Sequence, residues 1–317
     1  VSLCPVCAQA EPLLLCRALL YPGCEREIHE CPACGAAYFW PVPSPEDVSR
    51  CYPHAYFRDF FKNYWKDYYK GRSIARTLTR FRKEGTFVDV GCALGTMAAG
   101  VRDFSRWSVR GLEYSPGAAA MGRALNKVEI EEGSIAAAPW PASSADFIHM
   151  NNVLEHEREP RAALEAAARL LKPGGRLLLT LPNGPVDLLP TRTLFRRWRR
   201  AVATRHGGHL FYFSRKSIAR LLERCGLRPL SIRNFHFKMG LKARGWTPGA
   251  YKAFRQSPAP FDAQAYAKDQ LPLEEYRKLI PPPPVWAAYF LSQKFRRLWR
   301  WRGLSWGYDL EVLAEKA

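Results

Sequence analysis

Short apolar runs alternate with helical stretches through the middle of this chain, and glycine-containing turns punctuate them. Residues 87–90 read as a buried strand, 97–103 as a helix and 109–113 as a second strand. Ser115-Pro116 opens a further helix, since proline suits the first helical turn. Strands are predicted at 128–130 and 146–151, and an Ala/Leu-rich helix at 161–171 stopped by Lys172-Pro173-Gly174-Gly175. Strands at 176–181 and within 227–237 follow, and 309–314 alternates as a closing strand. Strand–helix repetition of this kind predicts an α/β fold around a largely parallel sheet.

Upstream of this core the pattern changes. Pro41, Pro43 and Pro45 form a stiff connector, because proline fixes φ and removes a backbone donor. Ser44 is a candidate N-cap, with Glu46 and Asp47 placed in the first turn. Residues 46–84 read as helices rich in Tyr, Phe, Lys and Arg, which either cap a pocket or pack on the sheet edge. Two basic, aromatic helices are expected in insertions at about 186–207 and 239–306. Leu194, Trp198 and Ala201/Val202 would share one helix face, as would Phe290, Leu291, Phe295, Leu298 and Trp299. Such faces either lie on an anionic membrane surface or pack against the core or a dimer partner.

The first strand runs into Asp89-x-Gly91-x-Ala93-x-Gly95, and Glu113 ends the second strand 22 positions after Gly91. Small residues let a backbone approach a ligand, and a carboxylate at the next strand end can accept two ribose hydroxyls. This is the layout of a nucleoside pocket.

Nine cysteines occur, four of them as Cys4-x-x-Cys7 and Cys31-x-x-Cys34. Two such knuckles supply four soft thiolates for tetrahedral Zn2+, and the 23 residues between them suit a small β ribbon. Four thiolates leave no open position, so the expected zinc is structural.

Together these blocks resemble the class I S-adenosylmethionine (SAM) methyltransferases, with Ala93 standing where their first motif carries its middle glycine. The resemblance continues through 144–150, 152–156, 171–179 and 208–214. It is nearest to the group containing the ubiquinone-pathway O-methyltransferases, and a zinc ribbon ahead of the SAM domain is found in a subgroup of such enzymes. The resemblance implies a Rossmann-like, seven-stranded mixed sheet whose last strand is antiparallel, preceded by a small N-terminal zinc ribbon. The domains would then be a ribbon at 1–40, a connector and helical cap at 41–84, and the methyltransferase domain at 85–317. It also implies cofactor contacts from Asp89, Gly91, Ala93, Gly95, Glu113, Ser134, Ile135 and Asn151. Ser134 stands where the family usually has Asp.

His156 is either a general base or a helix-start residue held by a backbone partner. His209 is either a substrate-side group or a structural loop histidine. In the ubiquinone-pathway relatives a Glu-x-x-Glu-His cluster is associated with a divalent metal. The first of those glutamates is Asn152 here, leaving Glu155 and His156, a thin set for a hard cation, so catalytic magnesium is not expected.

Charge adds a direction. The net charge is +19, and residues 186–317 hold 26 Lys/Arg against 9 Asp/Glu. Such asymmetry points to a phosphorylated or lipid-linked acceptor, an anionic membrane surface or nucleic acid, or to a solvated basic surface with no partner. The leading expectation is a cytoplasmic methyltransferase, peripheral to a membrane if the basic helices bind one, acting on a small-molecule hydroxyl. A zinc-finger RNA methyltransferase, a sugar C-methyltransferase and a non-catalytic interaction protein are the alternatives.

Overall fold

The computed structural model describes residues 3–51, 56–204, 208–245, 272–283 and 307–317. Among them, seven strands form a mixed sheet: β4 (Thr86–Val90), β5 (Ser108–Glu113), β6 (Glu129–Glu132), β7 (Ala145–Asn151), β8 (Leu171–Pro182), β11 (Leu227–Phe235) and β12 (Asp309–Lys316). Their spatial order is β11-β12-β8-β7-β4-β5-β6, and β12 runs antiparallel to both its neighbours. The remaining pairings are parallel. The expected Rossmann-like sheet with its antiparallel last strand is therefore present.

The central strands explain why the apolar runs were continuous. Phe87, Val88 and Val90 on β4, and Phe147 to Met150 on β7, are buried because helices cover both faces. One covering layer includes α4 (Thr96–Asp103) and α5 (Pro116–Asn126). The Ser115 hydroxyl caps α5 by accepting from the Ala118 amide. Helix α6 (Pro160–Leu170) ends at Leu170, and β8 begins at once. The Lys172–Gly175 stretch becomes a bulge in β8, since Ala145 pairs with Leu171 but Phe147 pairs with Arg176.

The cap region forms α1 (Pro45–Ser49), α2 (Tyr56–Lys62) and α3 (Tyr64–Phe81). Ser44 caps α1 as expected, in a reciprocal capping box with Asp47. Helix α3 packs on helix α4 through Gly71 and Gly100, and Asp67 and Lys70 on it line the large cavity.

The N-terminal ribbon forms β1 (Leu13–Tyr21), β2 (Cys24–Glu30) and β3 (Ala37–Trp40). Its sheet does not stop there. It takes β9 (Val202–Ala203) in parallel beside β1 and β10 (Phe211–Tyr212) antiparallel beside β3. One continuous apolar cluster reaches from Cys4 to Ala314, so ribbon and α/β sheet share a core. The knuckles are also held from outside: Arg220 donates to the Ala33 carbonyl, Arg224 to that of Cys7, and the Ser214 hydroxyl to that of Cys34.

This arrangement corrects the first basic helix. The segment forms α7 (Gly184–Asp187) and α8 (Leu189–Trp198), and α8 stops where Arg199 turns left-handed at φ 54°. Ala201 and Val202 therefore do not share a helix face with Leu194. Val202 instead pairs with Ala18 on the ribbon, and Leu194 is buried. The second basic helix, with Phe290, Leu291, Phe295, Leu298 and Trp299, lies outside the described residues. Among the described residues, no helix is long and apolar enough to cross a membrane.

Candidate functional site

The loop after β4 turns sharply because Gly91, Ala93 and Gly95 all have positive φ, at 66°, 49° and 64°. A side chain at Gly91 would also strike Val153, 2.5 Å from its Cβ position. The loop edges a cavity of about 1250 Å3 at the carboxyl ends of the parallel strands. Asp89, Gly91, Ala93, Glu113, Ser134, Ile135, Asn151, His156 and His209 all line it. Gly95 stands behind the loop as the N-cap of α4, facing Ile130 of β6.

Glu113 closes on the loop. Its carboxylate accepts from the Ala93 amide at 2.8 Å and the Ser115 amide at 2.9 Å. Burial raises its pKa despite those bonds. Beside it, Tyr114 is 79% exposed on the cavity wall, a ring face with no structural duty to the core. Ser134 and Ile135 begin a 3-10 turn just after β6.

Asp89 is buried. One of its oxygens faces His149 Nδ1 at 2.9 Å, while Oδ2 has no hydrogen-bond partner among the described residues. Burial lowers the His149 pKa, so this imidazole is neutral and donates to Asp89. From α3, Lys70 reaches across to donate to the Asn151 side chain, and burial lowers its pKa while raising that of Asp67 beside it. His149, Asp67, Lys70 and Tyr114 were not foreseen as site residues. Inside an apolar run His149 reads as an ordinary core histidine, and no motif marks Asp67 or Lys70.

A second cluster also contributes to the cavity lining, through His156 and His209. His156 donates from Nδ1 to the Gly208 carbonyl at 2.8 Å. His209 is buried and its Nδ1 faces Asp187 Oδ2 at 2.9 Å, while the Tyr308 hydroxyl donates to the other Asp187 oxygen. Burial works against protonation of His209, yet Asp187, Glu155 and Asp309 outweigh it and raise its pKa. The two imidazoles meet edge to face with centroids 4.9 Å apart. Glu155 is 1% exposed, neither carboxylate oxygen has a hydrogen-bond partner among the described residues, and burial pushes it up to about 7. The structure thus brings His209 to the Glu155–His156 pair, which the 53-residue sequence gap between His156 and His209 concealed.

On the ribbon, Cys4, Cys7, Cys31 and Cys34 are all buried and form one group. Cys4 and Cys34 sulfurs are 3.8 Å apart, and Cys7 and Cys31 sulfurs 3.6 Å. The Cys4 thiol is pulled down to about 5, chiefly by its bond with Cys34.

The profile of a family described as a methyltransferase domain matches residues 62–232. Over 97 residues the chain is 33% identical to a probable S-adenosylmethionine-dependent methyltransferase of Mycolicibacterium smegmatis, covering 30% of this chain and 37% of that protein. Over 167 residues it is 26% identical to the malonyl-[acyl-carrier protein] O-methyltransferase of Hahella chejuensis, covering 50% of this chain and 57% of the relative. The match thus spans less than two thirds of either relative's length. A solved structure from Thermotoga maritima, described as a SAM-dependent methyltransferase and possible histamine N-methyltransferase, superposes with a TM-score of 0.50 at 16% identity. That superposition covers 85% of this chain and 98% of the other, a likeness of fold.

Proposed function

This chain belongs to the methyltransferase-domain family, and from that premise we propose that it transfers the methyl group of SAM to a hydroxyl of a small-molecule acceptor. The observation that carries the reading is one cavity lined by two chemically different groups, the Glu113 carboxylate with the turn of Gly91 and Ala93, and the pair His156 and His209.

The residues fit the cofactor. Glu113 offers carboxylate oxygens to ribose hydroxyls, Tyr114 offers a ring face, and Ser134 and Ile135 stand where an adenine edge would be read. The unpartnered Asp89 Oδ2 suits an amino-acid ammonium, and Lys70 from α3 suits a carboxylate. When bound, SAM supplies an electrophilic methyl on a sulfonium. The chain's own work is then to hold that methyl near Asn151 and present the acceptor oxygen to it. His149 fixes Asp89 so that the carboxylate need not reorganise. With its Nδ1 donating to the Gly208 carbonyl, His156 would use Nε2 to draw off the hydroxyl proton. His209, pinned by Asp187, orients the acceptor.

The ribbon thiols fit structural Zn2+. With Zn–S of about 2.3 Å, the edge of a tetrahedron is roughly 3.8 Å, and the two measured sulfur pairs are 3.8 and 3.6 Å apart. This zinc would hold the knuckles against β10 and α9 (Arg215–Arg224).

The RNA reading has less support. Among the described residues the cavity is lined by six carboxylates, including Asp67, Glu157, Glu159 and Asp309, against two fixed cations, Lys70 and Arg158. A polyanion would meet repulsion there. The test is calorimetry with S-adenosylhomocysteine. The wild type should bind in the micromolar range, and Glu113→Ala should lose at least tenfold, about 1.4 kcal/mol. Absence of binding by folded, zinc-loaded protein would sink the enzyme reading.

A further inference from the structure

We propose that Tyr276 is a positioning residue for the cofactor, acting through Phe61 and Leu94 from a strap packed against the cap helices and the 91–95 turn. The inference rests on the methyltransferase reading and adds to it a segment far from every motif.

The strap is the described stretch 272–283, which the chain places between β11 and β12. It carries a short helix, Leu273–Arg277, and then Pro281, Pro282 and Pro283. Tyr276 is its buried residue, at 3% exposed. The Tyr276 ring stacks on that of Phe61, with centroids 5.0 Å apart and planes 16° from parallel. Phe61 is fully buried on α2, and its neighbour Phe60 lines the cavity. Leu94 completes the buried cluster, with Met121 and Leu125 of α5 packed against it.

Leu94 is where the strap meets the site. It is the largest side chain of the 91–95 turn, and it lines the cavity. A second, polar link converges on the same residue. Trp65 of α3 donates from Nε1 to the Pro281 carbonyl at 2.8 Å. Its neighbour Tyr64 donates to Asn126 Oδ1 at 2.7 Å, and Asn126 Nδ2 donates to the Leu94 carbonyl at 2.6 Å. Leu94 is thus held by its side chain from the strap and by its backbone through α3 and α5.

The residue beside it shows why this matters for the cofactor. Ala93 sits at φ 49°, a conformation that persists only where the surroundings impose it. The Ala93 amide also holds the Glu113 carboxylate. Removing the Tyr276 ring therefore loosens Leu94, then Ala93 and the aim of Glu113, while Phe60 loses its backing. A strap that tightens the cofactor must be tightened by it in equal measure, because coupling between two sites is reciprocal. A contact that only adds stability obeys no such relation.

The first measurement needs no variant. The amides of Tyr276, Leu279 and Ile280 donate to carbonyls within the strap, so their exchange reports its opening. Hydrogen exchange by mass spectrometry on the full chain, with and without saturating S-adenosylhomocysteine, should show 272–283 exchanging about tenfold more slowly with the ligand. Strand β2 of the ribbon should be unchanged. In calorimetry Tyr276→Ala should bind S-adenosylhomocysteine weaker by the same factor, about tenfold. Tyr276→Phe, which keeps the ring, should restore both the affinity and the slowed exchange. Protein that binds S-adenosylhomocysteine with no slowing at 272–283 overturns the strap and leaves the methyltransferase reading in place. Equal slowing in β2, which marks a global effect, or wild-type affinity in Tyr276→Ala also overturns it. Folded wild-type protein that binds no S-adenosylhomocysteine overturns the reading and this inference together.

Discussion

Replacing Gly71 by alanine should both destabilise the protein and loosen its cofactor end. Helices α3 and α4 cross where Gly71 meets Gly100. A Cβ at Gly71 would lie 2.1 Å from the Met97 carbonyl oxygen and 2.9 Å from Gly100 Cα, and ordinary contact begins near 3.4 Å. Because the obstacle is backbone, no rotamer relieves it, and the helices must part by about 1.3 Å, the difference between 3.4 and 2.1 Å. Overpacking of this kind costs about 1–3 kcal/mol, while Gly→Ala in a helix returns up to about 1 kcal/mol. With rigid backbone on both sides the upper part of the range applies, leaving a net loss of about 2 kcal/mol. For a chain of 317 residues that corresponds to a fall in Tm of about 3 °C. Lys70 and Asp67 ride on the displaced helix, so S-adenosylhomocysteine affinity should fall about tenfold. Gly117→Ala is the matched control. That glycine also lies in a helix, and a Cβ there would meet nothing nearer than the Ser115 hydroxyl at 4.0 Å. It should be neutral or slightly stabilising in differential scanning calorimetry. A Gly71→Ala protein that melts no lower than wild type would refute the contact between α3 and α4 on which this reasoning rests.

Two further expectations concern the ends of the structure. Stripping zinc with a chelator should lower Tm by about 10 °C, restored by one equivalent of Zn2+, because the knuckles anchor β3 and through it β10; an unchanged melt would remove the zinc reading. Asp146 is 4% exposed and bonded to Arg82, Lys172 and the Thr86 amide. Burial raises its pKa, but the Lys172 and Thr86 bonds and the two cations prevail and lower it. Its contribution is thus complete above the unfolded value of about 3.9 and disappears as pH falls through the lower folded value. Both cations are about two-fifths exposed, so Asp146→Asn should cost only about 2 kcal/mol at pH 7 by urea unfolding. The mutant's stability should also change less with pH below about 4; parallel curves would contradict the assignment.

The α/β sheet was legible because its central strands are buried on both faces, and Phe87 to Val90 or Phe147 to Met150 leave no other reading. The turn at 91–95 was legible because only small residues tolerate its backbone. The rest depended on distance along the chain. Val202 continues the apolar spacing of Leu194 and Trp198 equally well as helix or as a strand across from Ala18, and only the remote ribbon decides. The partners of His209 had the same problem: Asp187 precedes it by 22 residues and Tyr308 follows by 99, with no spacing rule to join them. Asp67 and Lys70 enter the cavity because of how α3 crosses α4, and that crossing was written only as two isolated glycines, Gly71 and Gly100.

The excess of positive charge and the cavity also part company. Residues 186–317 hold 26 Lys/Arg against 9 Asp/Glu, yet among the described residues the cavity presents more carboxylates than fixed cations. The described part of the lining therefore offers little attraction to an anionic group, and exposed arginines carry positive charge elsewhere on the surface. Helix α8 shows how that surface can act. Its Leu194 is buried, so that side chain is not available to insert into a bilayer. Arg196, Arg197, Arg199 and Arg200 are exposed at its end, with Arg200 lying over the Trp198 ring. The attraction these arginines exert on a lipid headgroup or a phosphorylated acceptor is electrostatic and should fade as salt rises.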